Sequence, residues 1–232
     1  METVVIGSRQ ITPGTHSVML MKPKGFHFRP TQFTFVSLMT ENGIDVRPMS
    51  IATSPTRPHL EYAVRTSDYS YKRAFSSLRQ GDRVGIQGPH GRFLLREDRA
   101  AVLIAGGIGI TPLKGMAEYA ADKQLAIPVR LLYSNHSEEE IAFRAEIEEL
   151  ARQNPHFRVN HTLTGDEVPK GWDGAVGRID SGQLERVSSG LKNPVYYVCG
   201  KPAMVSAMVG LLSDLGVSQA DIALEVFRGY AR

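Results

Sequence analysis

The stretch Ala101–Leu113, reading Ala-Val-Leu-Ile-Ala-Gly-Gly-Ile-Gly-Ile-Thr-Pro-Leu, constrains this chain more than any other. Its first five residues predict a strand covered on both faces, because a parallel strand inside an α/β sheet needs no polar alternation. Gly106, Gly107 and Gly109 predict a tight turn, and Thr111 as N-cap with Pro112 as first helical residue predicts a helix start. Backbone N–H groups at such a start point at whatever occupies the turn, which suits an anion and most often phosphate. The usual dinucleotide fingerprint has a third glycine where Thr111-Pro112 stands, so this is not the common Rossmann pattern. A βα turn without a ligand is the alternative at this point.

The surroundings of this stretch divide the chain in two. Downstream, strands are predicted at 101–105, 129–133, 158–163, 195–199 and 222–226, and helices at 112–123, 139–152 and 202–215. Alternation of this kind means βαβ units and a parallel sheet. Upstream, β-like segments at 3–6, 15–21, 32–39, 49–53, 60–65 and 83–87 are punctuated by Pro13-Gly14, Asn42-Gly43 and Gly81-Asp82. Six short strands at this spacing predict a small antiparallel β-barrel, capped by one short helix over 71–78. The predicted architecture is therefore two-domain: an antiparallel β-barrel over 1–97, followed by an α/β parallel-sheet domain over 98–232. No low-complexity linker separates them, so a cleft between directly packed domains is expected.

Composition excludes several classes. The chain is 42% hydrophobic and 22% charged, as in a globular protein, and 101–113 is too short and glycine-rich to span a bilayer. The start lacks the basic and apolar regions of a signal peptide, so a cytoplasmic location is expected, with no nucleic-acid partner. Cys199 is the one cysteine, which leaves no cysteine-ligated iron–sulfur cluster within this sequence, and the seven histidines show no metal-ligand spacing, so no metal is expected. Charge is uneven: residues 1–97 hold 13 Lys+Arg against 7 Asp+Glu, net +6, and the remainder holds 14 against 17, net −3. The barrel half is thus expected to face anions. A P-loop is excluded because Pro202 follows Gly200-Lys201, and no Gly-x-Ser-x-Gly elbow is present.

Several short motifs remain, each compatible with a merely structural role. Arg47-Pro48-Met49-Ser50 sets a phosphate-reaching arginine beside a hydroxyl. Ser67–Arg73 offers a helix start with Lys72 and Arg73. Gly88-Pro89-His90-Gly91-Arg92-Phe93 ends the barrel in turns, and Val195–Met204 repeats the strand-glycine-helix design around Cys199 and Gly200. Taken with Gly106–Pro112 and Leu224-Glu225-Val226-Phe227, these motifs resemble the ferredoxin–NADP reductase superfamily in order and spacing over nearly the whole chain.

The resemblance implies a flavin-binding barrel, a nicotinamide-nucleotide domain, and FAD and NAD(P)H as cofactors. On that basis Arg47 would meet the flavin's phosphate and Ser50 would bond near flavin N5, while Val64, Arg65, Tyr71 and Lys72 would supply further FAD contacts. Gly107, Gly109 and Thr111 would hold the NAD(P)H pyrophosphate, and Cys199 with Gly200 would lie beside the nicotinamide. Glu225 matches the family's C-terminal acid, so Ser50, Cys199 and Glu225 are the catalytic candidates. Met49 stands where the family usually has a tyrosine that stacks on the flavin, and either Phe227 or Tyr230 is the ring expected to cover it. Ser134-Asn135-His136 lacks the arginine that accepts a 2′-phosphate in NADP-using members, which favours NADH. The implied activity is hydride transfer from NAD(P)H to FAD, then electron delivery to an acidic redox protein, ferredoxin or flavodoxin, or to a small acceptor. A reductase of free flavin or ferric chelates, and a non-catalytic electron-transfer subunit, are the alternatives.

Overall fold

A computed structural model describes residues 1–229. The first half forms β1 (Glu2–Thr12), β2 (Thr15–Met21), β3 (Phe33–Thr40), β4 (Gly43–Ser50), β5 (His59–Arg65), α1 (Ser70–Ser77) and β6 (Arg83–His90). These strands make one antiparallel sheet in the order β4-β3-β6-β1-β2-β5. The sheet curls until its edges meet: just past β4, the Ala52 N–H donates to the Glu61 carbonyl of β5 at 2.8 Å. Alternation along the strands drives the closure. Val18 and Leu20, Val36 and Leu38, and Val84 and Ile86 turn inward onto Tyr62, while Tyr71 and Phe75 of α1 plug one end.

The second half comprises β7 (Ala101–Gly106), α2 (Ile110–Asp122), β8 (Val129–Asn135), α3 (Arg144–Gln153), β9 (Phe157–Leu163), β10 (Ala175–Val176), α4 (Ser181–Ser188), β11 (Val195–Gly200), α5 (Pro202–Asp214) and β12 (Ile222–Val226). Its sheet is parallel throughout, in the order β10-β9-β8-β7-β11-β12. Strand β7 lies inside, with Ala101–Ala105 fully buried, as an unalternating apolar run requires. Between the sheets, Phe93 and Leu95 pack into the core of the second one.

The two-domain expectation and the strand and helix grammar hold, with four local corrections. The fourth barrel strand runs over 43–50 and not 49–53: Asn42-Gly43 is the hairpin turn that starts it, with Gly43 at φ +95°. Helix α2 begins at Ile110, before Thr111, because the 3₁₀ turn Gly107–Gly109 runs straight into it; Thr111 Oγ1 donates back to the Ile108 carbonyl at 3.0 Å instead of capping. Helix α3 begins only at Arg144, since Phe143 takes a left-handed conformation, φ +59°, that breaks the run from 139. The short elements β10 and α4 went unforeseen.

Candidate active site

The site forms where the carboxyl ends of β7, β8, β9 and β11 face the barrel, the edge at which open α/β sheets bind ligands. Glycine makes this possible at two places. Gly107 has φ +52°, and a Cβ on Gly109 would lie 2.3 Å from the Cys199 carbonyl oxygen, so the 3₁₀ turn lies directly against β11. A cleft of ≈ 440 Å³ opens over the turn. Gly106, Gly107, Gly109, Gly200 and Phe227 line it, with Arg65 entering from the barrel and Lys201 from the start of α5.

Charge around the turn is positive. Arg65 donates to Glu140 at 2.8 Å and still lines the cleft. Burial holds the Lys72 ammonium below its ordinary range, and nearby Arg65 and Lys201 push the same way. Deeper in the cleft the side chain of Asn135, 4% exposed, has no hydrogen-bond partner for either its oxygen or its nitrogen. A buried amide left open in this way fits a ligand that supplies both a donor and an acceptor.

Beside this cleft a further hydrogen bond joins the domains. Ser50 Oγ, at the end of β4, donates to Glu225 Oε1 of β12 at 3.0 Å, although 175 positions separate the two residues. Glu225 sits in register with Cys199, one residue before Gly200. Burial raises the Glu225 carboxyl to about 7, against the Ser50 bond, which acts to lower it. The Cys199 thiol is pushed well above its ordinary range by burial and then by Glu225. It is therefore an unreactive thiol packed in the core of the second domain, with its neighbour Gly200 on the cleft wall.

The family profile for the oxidoreductase NAD-binding domain matches residues 103–209. One component of the Na(+)-translocating NADH-quinone reductase of Haemophilus influenzae is 31% identical over 203 residues, covering 85% of this chain and 48% of that protein. The chain thus spans about half the length of this relative. In structure it superposes on the FAD/NAD-binding domain of nitric oxide dioxygenase from Vibrio cholerae with a TM-score of 0.86, at 22% identity, covering 97% of this chain and 98% of the other. A ferredoxin NADP+ reductase from Neisseria gonorrhoeae, solved with bound FAD and NADP, gives 0.82 at 21% identity, covering 97% and 98%. Residues 103–209 thus match the oxidoreductase NAD-binding domain, and the whole chain shares the two-domain fold of these solved structures.

The sequence-predicted residues fall into three groups. Ser50 and Glu225 meet each other, and Arg65, Gly107, Gly109, Gly200 and Phe227 share the cleft, with Lys72 close enough to feel its charge. Arg47 stands further along β4, where its guanidinium stacks 5.4 Å from the Tyr69 ring, donates to the Tyr69 hydroxyl and reaches Asp45 at 3.1 Å. Met49 and Val64 lie in the barrel core with Tyr71, whose hydroxyl donates to the Val36 carbonyl at 3.1 Å; Thr111 is buried at the start of α2. Tyr230 lies outside the described residues.

Other residues around the site were not assigned a contact from the sequence. Tyr69 partners Arg47 from two positions outside the predicted helix, and Asn135 and His136 follow β8 at the edge where ligands bind. Arg178 lines the same cleft as Ser134 and His136, from a turn after β10, an element only two residues long. Among the described residues no cluster of three or more His, Cys, Asp or Glu could hold a metal ion, and no helix is long and apolar enough to cross a membrane.

Proposed function

We propose that the chain is an NAD(P)H-dependent flavoprotein reductase that holds FAD against the barrel, takes NAD(P)H along the Gly107–Gly109 turn, and passes electrons to a separate acceptor. The Ser50–Glu225 hydrogen bond carries this reading: it places a hydroxyl and a carboxyl titrating near neutrality at the seam where two flat cofactors would meet. The residues fit both groups. Arg65, Lys72 and Lys201 gather like charges that a diphosphate would neutralise, and the open amide of Asn135 suits an adenosine. When bound, the flavin accepts a hydride from reduced nicotinamide and can release two electrons singly. The chain's own part is to bind, orient and shield. Arg47 and Lys72 would hold phosphate, the first-turn N–H groups of α2 would meet the pyrophosphate, Phe227 would cover the ring, and Ser50 would fix the reacting edge while Glu225 holds its proton.

Arg178 supports use of NADPH as well as NADH. In place of the guanidinium missing after Ser134 in sequence, Arg178 of another segment lines the same cleft and would pair with a 2′-phosphate. For the acceptor, the net +6 of residues 1–97 supports an acidic protein of the ferredoxin or flavodoxin kind.

Extraction of the flavin followed by anaerobic stopped-flow reduction tests the reading. Bound FAD bleaching with NADH and NADPH is expected, with acceptor reduction that slows as salt is added. Purified protein that retains no flavin when supplied with FAD, or bound FAD that neither nucleotide bleaches, would overturn it. Arg178→Ala should raise the KM for NADPH by about 10- to 100-fold, the worth of a charge-assisted bond, and leave that for NADH nearly unchanged.

A further inference from the structure

A second cavity, of ≈ 760 Å³, shares no lining residue with the nucleotide cleft. It wraps the outer edge of β9 between α3 and α4, where β10 pairs only with Thr162 and Leu163 and leaves the rest of that edge uncovered. Five arginines line it, Arg130, Arg144, Arg152, Arg158 and Arg186, against two carboxylates, Glu148 and Asp173. This concentration of positive charge lies in the half of the chain whose net charge is −3.

Two of the five are already engaged: Arg144 pairs with Glu138 and Glu148, and Arg152 with Glu149. The other three, Arg130, Arg158 and Arg186, form no ion pair among the described residues. Arg130 donates only to the carbonyls of Val129 at 3.2 Å and His156 at 3.0 Å. Its guanidinium is held below its ordinary range by burial and then by Arg158, the mark of like charges brought together without a counter-ion.

The cavity also holds open acceptors. Gln183 is 6% exposed, and its Oε1 has no partner; nor has either ring nitrogen of His161. Unpaired guanidiniums offer bidentate donors to an oxyanion, and the amide oxygen and neutral imidazole offer acceptors to hydroxyl or amino groups. Leaving the Gln183 oxygen and the His161 ring unsatisfied is costly, and their convergence with three guanidiniums that form no ion pair on one cavity of ligand size points to an occupant with both features.

We propose that this cavity is a second ligand site, for a small phosphate monoester with hydroxyl donors such as a sugar phosphate. Its phosphate is held by Arg130, Arg158 and Arg186, and its hydroxyls by Gln183 and His161. The site is independent of the nucleotide cleft and does not rest on the chain's reductase activity.

Trp172, the chain's one tryptophan, gives the test a local reporter. Its ring lies 6.3 Å from that of His161 and 5.7 Å from the Arg144 guanidinium, and both residues line the cavity. Titration of the flavin-loaded protein with ribose 5-phosphate should give a saturable change in Trp172 fluorescence that saturating NADH does not displace. Inorganic phosphate should bind at least about tenfold more weakly and ribose not at all. The double variant Arg158→Ala/Arg186→Ala, altered at two exposed side chains, should lose at least about tenfold in affinity for ribose 5-phosphate. Its KM for NAD(P)H should stay unchanged. No saturable signal at millimolar ligand, an undiminished signal in the double variant, equal affinity for inorganic phosphate, or displacement by NADH would each overturn the assignment.

Discussion

Glu225 combines two properties seldom found together on an edge strand, a half-buried carboxyl and a single hydrogen-bond donor, Ser50. Because burial raises its carboxyl to about 7, the folded chain binds that proton more tightly than the unfolded chain does. Its contribution to stability is therefore fully present below the ordinary carboxylate range and is lost as pH rises toward 7. Urea midpoints measured from pH 4 to 8 should fall across that window in the wild type and flatten in Glu225→Gln. In the same variant the pH profile of flavin reduction should lose its inflection near 7, and the rate should drop by about 100-fold, the usual scale for a positioned proton carrier. A profile that keeps its inflection would assign the titration to another group.

At the scale of elements, the 3₁₀ turn and α2 act as one piece. Gly109→Ala would set a methyl 2.3 Å from the Cys199 carbonyl, and because that atom is backbone the turn must lift off β11. Nucleotide affinity is expected to fall more than about tenfold, at a stability cost of about 1–3 kcal/mol, while flavin content stays intact. Equilibrium titration with NADH and flavin absorbance per mole of protein separate the two effects. This element was legible in the sequence because its signals are local: β7, the three glycines and the helix follow one another directly. The Ser50–Glu225 pair joins two separate domains, and only resemblance to a family pointed to both residues. The break before α3 depends on Phe143, a bulky residue in a conformation that a helical pattern does not betray. Helix α4, eight residues of Ser-Gly-Gln-Leu-Glu-Arg-Val-Ser, is too short and polar for periodicity to register, although Asp180 caps it through the Gln183 N–H. Arg178 went unseen as a cleft residue for the same reason, since nothing local marks where that connection passes.

Across the whole molecule, the seam between the halves holds a buried ion cluster. Lys114 of α2 is 2% exposed and donates to Glu118 at 2.8 Å, to Glu61 of the barrel at 3.2 Å and to the Ala52 carbonyl at 3.2 Å. Ser17 Oγ donates to Glu61 at 2.6 Å, and the Ser54 N–H donates to Glu118 at 2.9 Å. In sequence Lys114 reads as a solvated helical lysine; it is buried because Gly115, beside it, lets α2 come close to the Thr53 carbonyl, which a Cβ would approach to 2.9 Å. Lys114→Met removes the cation shared by two buried carboxylates, leaving Glu61 only the more distant Arg9 at 3.6 Å, and is expected to cost about 3–5 kcal/mol in urea unfolding. Adding Glu61→Gln should recover part of that loss, a coupling that a double-mutant cycle reads directly.

The helix that begins under the nucleotide turn is also the one that drives Lys114 and Gly115 into the barrel. One rigid rod therefore runs from the glycine turn into the barrel half, and neither half can melt without taking the other's footing away. Heat should unfold the chain in a single cooperative transition whose calorimetric and van't Hoff enthalpies agree, and a ligand seated on either side should raise the melting temperature of both.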